Sequence, residues 1–283
     1  MIREKRDKEC PAGAQSGFYP GGVYTYEKSF LAPEEWKNQD VVLEFEGIYG
    51  TARVWINGAL ATVNRNGYMG FSVDLKPWIC YGQENLIKID VDNSNQPNSR
   101  WYTGSGIYRD VNLWTGKGVY IPHDEMKITT LSVNDDVAVV EVCANVKNTK
   151  ECGIEAKCYV ELIFEGKTVV TEKQNIVFYS GRKETVRVQI PVKCPKKWST
   201  DHPNLYQCCV KTYIGDEICD EYTVDFGIRT LTLDPVNGFR INGETVNLRG
   251  TCIHHDNGVI GAETFPEAEW YRCKRLKEAG FNA

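Results

Sequence analysis

The residues with the most chemistry to offer lie in two short runs and a few scattered acids. His254-His255-Asp256 places two imidazoles and a carboxylate in succession. On a continuing strand, His254 and Asp256 would share one face and His255 would point to the other. The run alone therefore does not converge three ligands on a metal; it suits hydrogen bonds to a polar ligand. Arg100-Trp101-Tyr102 sets a guanidinium beside two aromatic rings, just before a Gly104-Ser105-Gly106 turn. The glycines permit positive φ there, and the trio offers flat apolar faces next to fixed donors. Trp101 equally fits packing at a domain boundary, and both readings stand at this point. Glu244 falls in a hairpin and Glu263 in a loop. Each reads as solvated charge, not as half of a catalytic acid pair. Arg109 reads as an ion-paired strand residue.

The elements that must position these groups are mostly short strands. Residues 1–22 are polar and rich in glycine and proline, and read as an extended arm. From Val23 to about Gly116, apolar and alternating runs fit strands at 23–30, 41–45, 51–56, 70–75, 85–91 and 108–114. Asn57-Gly58 is a strong signal for a two-residue hairpin turn. Strands this numerous, without a long helix, predict a jelly-roll-like sandwich over 1–120. Seven further strand patterns between Glu125 and Phe226, turning at Asn134-Asp135, Glu165-Gly166 and Gly215-Asp216, predict an immunoglobulin-like sandwich over 121–227. Within 228–283, a hairpin turns at Asn242-Gly243 and its second strand runs through Val246–Cys252. A helix is predicted from Pro266 to Ala279, with acids near its start, Lys and Arg near its end, and Gly280 to stop it. Trp55 and Trp114 sit in strands and read as core; Trp36 and Trp78 lie near turns.

Composition narrows the class of function. The 283 residues suit about two domains. Thirty-three basic against 38 acidic residues leave a net charge of −5, which argues against a nucleic-acid partner. No apolar run approaches the ~20 residues of a membrane span, and the charged opening lacks the apolar centre of a secretory signal. Eleven cysteines, scattered and without a two-residue spacing, fit reduced thiols of a cytoplasmic protein. Adjacent Cys208 and Cys209 face opposite ways on a strand, which argues against a disulfide between them. No cofactor or metal is implied.

Three stretches, in order, resemble glycoside hydrolase family 2. Asp92-Asn93 followed by the run from Arg100 to Arg109 is similar to the signature near the end of that family's sugar-binding domain. Trp55-Ile56-Asn57-Gly58 with Gly67-Tyr68-Met69-Gly70-Phe71 resembles its middle hairpin. Asn242-Gly243, Leu248-Arg249-Gly250, His254-His255-Asp256 and Leu276 to Ala283 resemble the entry into its catalytic (β/α)8 barrel. The His-His-Asp form is most similar to the β-galactosidase branch. The resemblance implies a mainly β chain: a jelly roll, an immunoglobulin-like sandwich and the start of an incomplete barrel. It implies His254, His255, Asp256, Arg100 and Trp101 as substrate-binding residues, with a carbohydrate as partner and a homo-oligomer as an expected assembly. It places the two catalytic glutamates beyond Ala283, so the chain alone is expected to be inactive. Two other readings are a stand-alone carbohydrate-binding module and the same segment of a β-glucuronidase or β-mannosidase.

Overall fold

The computed structural model describes residues 7–16, 18, 20–97, 105–254, 257 and 264–283. The described chain is mainly β and forms two compact units, one of residues 1–115 with 249–283 and one of residues 116–248.

Among the described residues the first unit is a sandwich of nine strands: β1 (Val23–Ala32), β2 (Asp40–Phe45), β3 (Ile48–Tyr49), β4 (Thr51–Ile56), β5 (Ala59–Asn64), β6 (Phe71–Asp74), β7 (Gln83–Asp92), β8 (Gly106–Ile107) and β9 (Val111–Gly116). One sheet runs β1-β7-β4-β5, a second runs β6-β2-β9, and β3 pairs with β8. Alternation along β4 buries Ala52, Val54 and Ile56, and along β7 buries Ile87, Ile89 and Val91. These meet Val41, Leu43 and Phe45 of β2 in one core, as period-2 patterning demands. The predicted strand at 108–114 forms only from Val111, as β9, after β8 has ended at Ile107. Trp36 and Trp78 pack against the core. Trp114, expected inside, is 42% exposed, and its indole N–H donates to Glu44 Oε2 at 2.7 Å. The predicted structureless arm contains a short 3-10 turn at Gly13–Ser16.

The second unit begins with β10 (Val119–Tyr120) and β11 (Met126–Val133) and continues through β12 (Val137–Asn148), β13 (Ile154–Phe164), β14 (Lys167–Phe178), β15 (Lys183–Lys193), β16 (Tyr206–Ile214) and β17 (Glu217–Phe226). β12 joins β10, β11 and β15 in one sheet; the other runs β14-β13-β16-β17. Val140 and Val142 of β12 face Val160, Leu162 and Val210 across a shared core. Tyr206, at the start of β16, packs between Phe164 and Phe226. Its hydroxyl accepts the Lys196 backbone N–H at 2.9 Å, pinning the preceding loop as a tyrosine corner does in immunoglobulin sandwiches.

A small sheet follows, of β18 (Leu231–Asp234), β19 (Gly238–Ile241) and β20 (Glu244–Thr245). Asn242 and Gly243 take φ of 52° and 84° at its turn, as a type I′ hairpin requires. The strand predicted over Val246–Cys252 does not form: residues 246–254 carry no regular structure. A barrel strand is held by neighbours on both sides. Here Val246 N–H donates to Phe239 O at 2.9 Å and Arg249 O accepts the Asn282 N–H at 3.0 Å, with no strand partner among the described residues. The helix α1 (Pro266–Glu278) opens with proline in its first turn. It ends in a Schellman motif, with Phe281 N–H donating to Leu276 O at 3.1 Å and Gly280 N–H to Lys277 O at 2.9 Å.

Candidate functional site

The connection from β7 to β8 carries the first candidate run, and the structure defines both of its ends. Asn93 is almost fully buried. Its backbone N–H donates to Gly22 O at 2.8 Å, and its side-chain amide donates to Ser105 Oγ across the neck of the loop. Beside it, Asp92 accepts the Ser94 hydroxyl at 2.6 Å and the Ser94 N–H at 3.1 Å. The hydroxyl and then the backbone bond hold its carboxyl below the usual carboxylate range. Gly106 closes the far end with φ of 86°. A Cβ there would collide with the Tyr26 hydroxyl, so the turn requires glycine for space as well as for φ.

Past this neck the chain enters a group of tyrosines. Tyr108 donates its hydroxyl to Gly67 O at 2.8 Å and lays its ring against Gly47, where a Cβ would approach to 2.7 Å. Tyr49 meets Tyr68 edge to face, with ring centroids 5.4 Å apart. The 64–70 loop that presents Tyr68 is an Asx turn: Asn66 Oδ1 accepts the N–H of Tyr68 at 2.9 Å and of Met69 at 3.2 Å. Tyr68 and Met69 are exposed. Arg109 lies with its guanidinium 5.4 Å from the centre of the Tyr108 ring. The chemistry this group offers is recognition, through phenol hydroxyls and aromatic faces set on a rigid base.

The second candidate run sits in the segment 249–283. Arg249 and Asn282 form a clamp: Asn282 N–H donates to Arg249 O at 3.0 Å, and Arg249 N–H to Asn282 Oδ1 at 2.7 Å. Arg249 Nε also donates to Gly280 O at 2.7 Å. The clamp ties the approach to His254 to the end of α1. His254 is exposed. His255, Asp256, Arg100, Trp101 and Glu263 lie outside the described residues. Of the five substrate-binding candidates the structure thus places only His254. Glu244 is exposed in β20, paired with Ile241 at the hairpin turn. The tyrosine group escaped sequence reasoning. Its signal was present in the glycines at 47 and 67, which make room for the Tyr108 and Tyr49 rings.

Comparison with known proteins now adds to this geometry. The model for "Glycosyl hydrolases family 2, sugar binding domain" matches residues 15–117, and that for "Glycosyl hydrolases family 2" matches 119–229. A beta-galactosidase of Bacteroides ovatus, BoGH2A, is 34% identical over 97% of this chain and 32% of its own length. A beta-glucuronidase of Bacteroides fragilis is 27% identical over 94% of this chain and 40% of its own. Among solved structures, a glycosyl hydrolase family 2 member from Bacteroides cellulosilyticus superposes with a TM-score of 0.92. It shares 32% identity, over 99% of this chain and 36% of its own. The chain thus spans about a third of the length of these relatives.

Proposed function

Because the chain belongs to glycosyl hydrolase family 2, we propose that it is the N-terminal, non-catalytic part of a retaining β-glycosidase acting on terminal β-galactosides. The observation that carries this reading is the succession of the two family models along one chain that aligns with only a third of its relatives. Retaining glycosidases place two carboxyl groups about 5–5.5 Å apart across the sugar ring, one as acid/base and one as nucleophile. In this reading both come from later in the polypeptide. The described domains help to wall the pocket, and His254 serves as a contact to the sugar. We also place the protein in the cytoplasm, a compartment in keeping with its eleven free thiols.

A β-glucuronidase is the second reading, favoured by the relatives of that name at 27–33% identity. Assaying the 283-residue chain, and the polypeptide continued past Ala283, on nitrophenyl β-galactoside and β-glucuronide tests both. The expected result is turnover of the galactoside by the longer protein and none by the chain. Saturable hydrolysis by the purified chain, abolished by a Glu substitution within it, overturns the non-catalytic assignment. Preferential turnover of the glucuronide overturns the choice of sugar.

A further inference from the structure

The second unit carries a cleft that the proposed function leaves unused. It lies on the face of β13 and β16 turned away from the core, since Cys158, Val160 and Leu162 point inward and alternate residues point out. Its volume is about 290 Å³, and Lys157, Tyr159, Glu161, Tyr213, Gly215 and Asp216 line it. Lys157 stands opposite Tyr213 and Tyr159 opposite Lys211 in the antiparallel register. The two tyrosines therefore meet on the diagonal, with centroids 5.3 Å apart and planes at 76°.

Each neighbouring charge is held in place. Lys157 donates to Gly215 O at 2.9 Å and pairs with Asp216 at 3.3 Å. Glu161 pairs with Lys211 at 2.9 Å. Lys173 sets its ammonium over the Tyr159 ring, 5.8 Å from the centroid; among the described residues no cation lies over the half-buried Tyr213 ring.

We propose that this cleft is a carbohydrate-binding site separate from the reaction centre, and that it takes one or two rings of a neutral β-linked oligosaccharide stacked on Tyr213. Its volume lies just below the range of ligand sites, about 300–1,000 Å³. That suits a short segment of a chain rather than an extended one. Three lysines, Lys157, Lys173 and Lys211, and three acids, Glu161, Asp216 and Glu221, sum to zero charge around the aromatic pair. A charged ligand would face one repelling set, whereas hydroxyl groups both donate and accept and can use ammonium and carboxylate alike. An aromatic face beside such groups matches a sugar ring, apolar on its C–H face and polar at its rim. The strands that carry the cleft are interior to a four-stranded sheet, so the site is rigid before the ligand arrives. The carbohydrate class rests on the glycosidase reading; the geometry stands without it.

The test is a titration of the full chain with β-1,4-galactotetraose and with cellotetraose, followed by amide chemical shifts. The expected result is saturable binding in the range of about a millimolar, with shifts clustered on β13, β16 and the 215–216 turn. Tyr213→Ala weakens binding about tenfold or more, Tyr213→Phe retains it, and Lys157→Ala weakens it less. Unchanged spectra elsewhere show that the variants keep their fold. Absence of saturable shifts with both sugars overturns the proposal, as does wild-type affinity in Tyr213→Ala. So do shifts confined to the first unit. Hydrolysis of nitrophenyl β-galactoside by the longer protein is the parallel measurement. Turnover without oligosaccharide binding sinks only this site; binding without turnover sinks only the glycosidase reading.

Discussion

Replacing Asn85 by alanine is expected to cost the first unit about 3 kcal/mol, and the structure allows the figure to be built up. Asn85 is 1% exposed and spends all of its side-chain capacity. Its Oδ1 accepts Cys80 N–H at 2.7 Å and Asn57 Nδ2 at 2.8 Å. Its Nδ2 donates to Cys80 O at 2.9 Å and Gln83 O at 3.0 Å. Four bonds at roughly 1 kcal/mol each give about 4 kcal/mol. Two partners recover part of that: Asn57 Nδ2 keeps its bond to Trp78 O, and Gln83 is exposed, so water can reach its carbonyl. The companion change, Asn85→Asp, keeps the acceptor but turns a carboxylate oxygen towards two carbonyls. The folded state then favours the protonated acid, so its pKa rises. The stability of Asn85→Asp should therefore be lowest at neutral pH and recover as pH falls through that raised value. Urea unfolding followed by tryptophan fluorescence reads the effect, since Trp36, Trp55 and Trp78 belong to this unit. A loss below about 1 kcal/mol in Asn85→Ala, or a pH-independent Asn85→Asp, would refute the claim that this side chain fastens the turn.

Two further outcomes follow from the same structure. Asp220 accepts the Ile121 N–H at 2.8 Å, and burial, which outweighs its backbone bonds, raises its carboxyl above the usual range. A raised acid contributes stability below its unfolded value of about 3.9 and loses it as pH rises through the folded one. Asp220→Asn should therefore move the urea midpoint upward at pH 7 and leave it unchanged below about pH 4; a lower midpoint at pH 7 contradicts the sign. Phe265, Trp270 and Tyr271 are each more than half exposed, and apolar groups so placed favour self-association. Light scattering across concentration should show an oligomer. Trp270→Ser should weaken it about tenfold to a hundredfold, from roughly 1.5–3 kcal/mol of lost burial; a strictly monomeric wild type ends the argument.

The parts of the fold legible in the sequence were those written in period-2 alternation and in dipeptide turns. Asn57-Gly58, Glu165-Gly166 and Asn242-Gly243 all take positive φ at both positions. The helix was equally readable, because Pro266 and Gly280 mark its ends. The failures have a common cause. Val246–Cys252 has strand-like composition, yet a strand exists only through its neighbours, and composition does not report them. Trp114 alternates like a core residue, but the bond from its indole to Glu44 satisfies it at the surface. For the candidate site, the sequence pointed to polar and aromatic runs but not to the tyrosine group at 49, 68 and 108, in which Tyr108 packs on Gly47 and Tyr49 on Gly67, far apart in the chain.

The same limit explains why asparagine matters more here than any pattern of apolar residues suggests. Asn57 read as half of a turn, and it is one; its side chain also accepts Leu86 N–H at 2.9 Å and donates to Trp78 O at 3.0 Å. Asn93 closes the neck of the 94–104 loop. Asn148, fully buried in the second unit, donates to Cys152 O at 2.9 Å and Tyr179 O at 3.3 Å and accepts Lys150 N–H at 3.0 Å. Each side chain copies a peptide group, with one acceptor and paired donors, and supplies backbone-like bonds where a loop leaves the ladder. A sandwich core fixes its strands by burial, which is non-directional and leaves loop paths open. The directional bonds of these asparagines hold those paths, since leaving a buried amide unpaired costs about 1–3 kcal/mol. Loop position, and with it whatever these domains present to a ligand, is therefore set by polar residues inside an apolar scaffold.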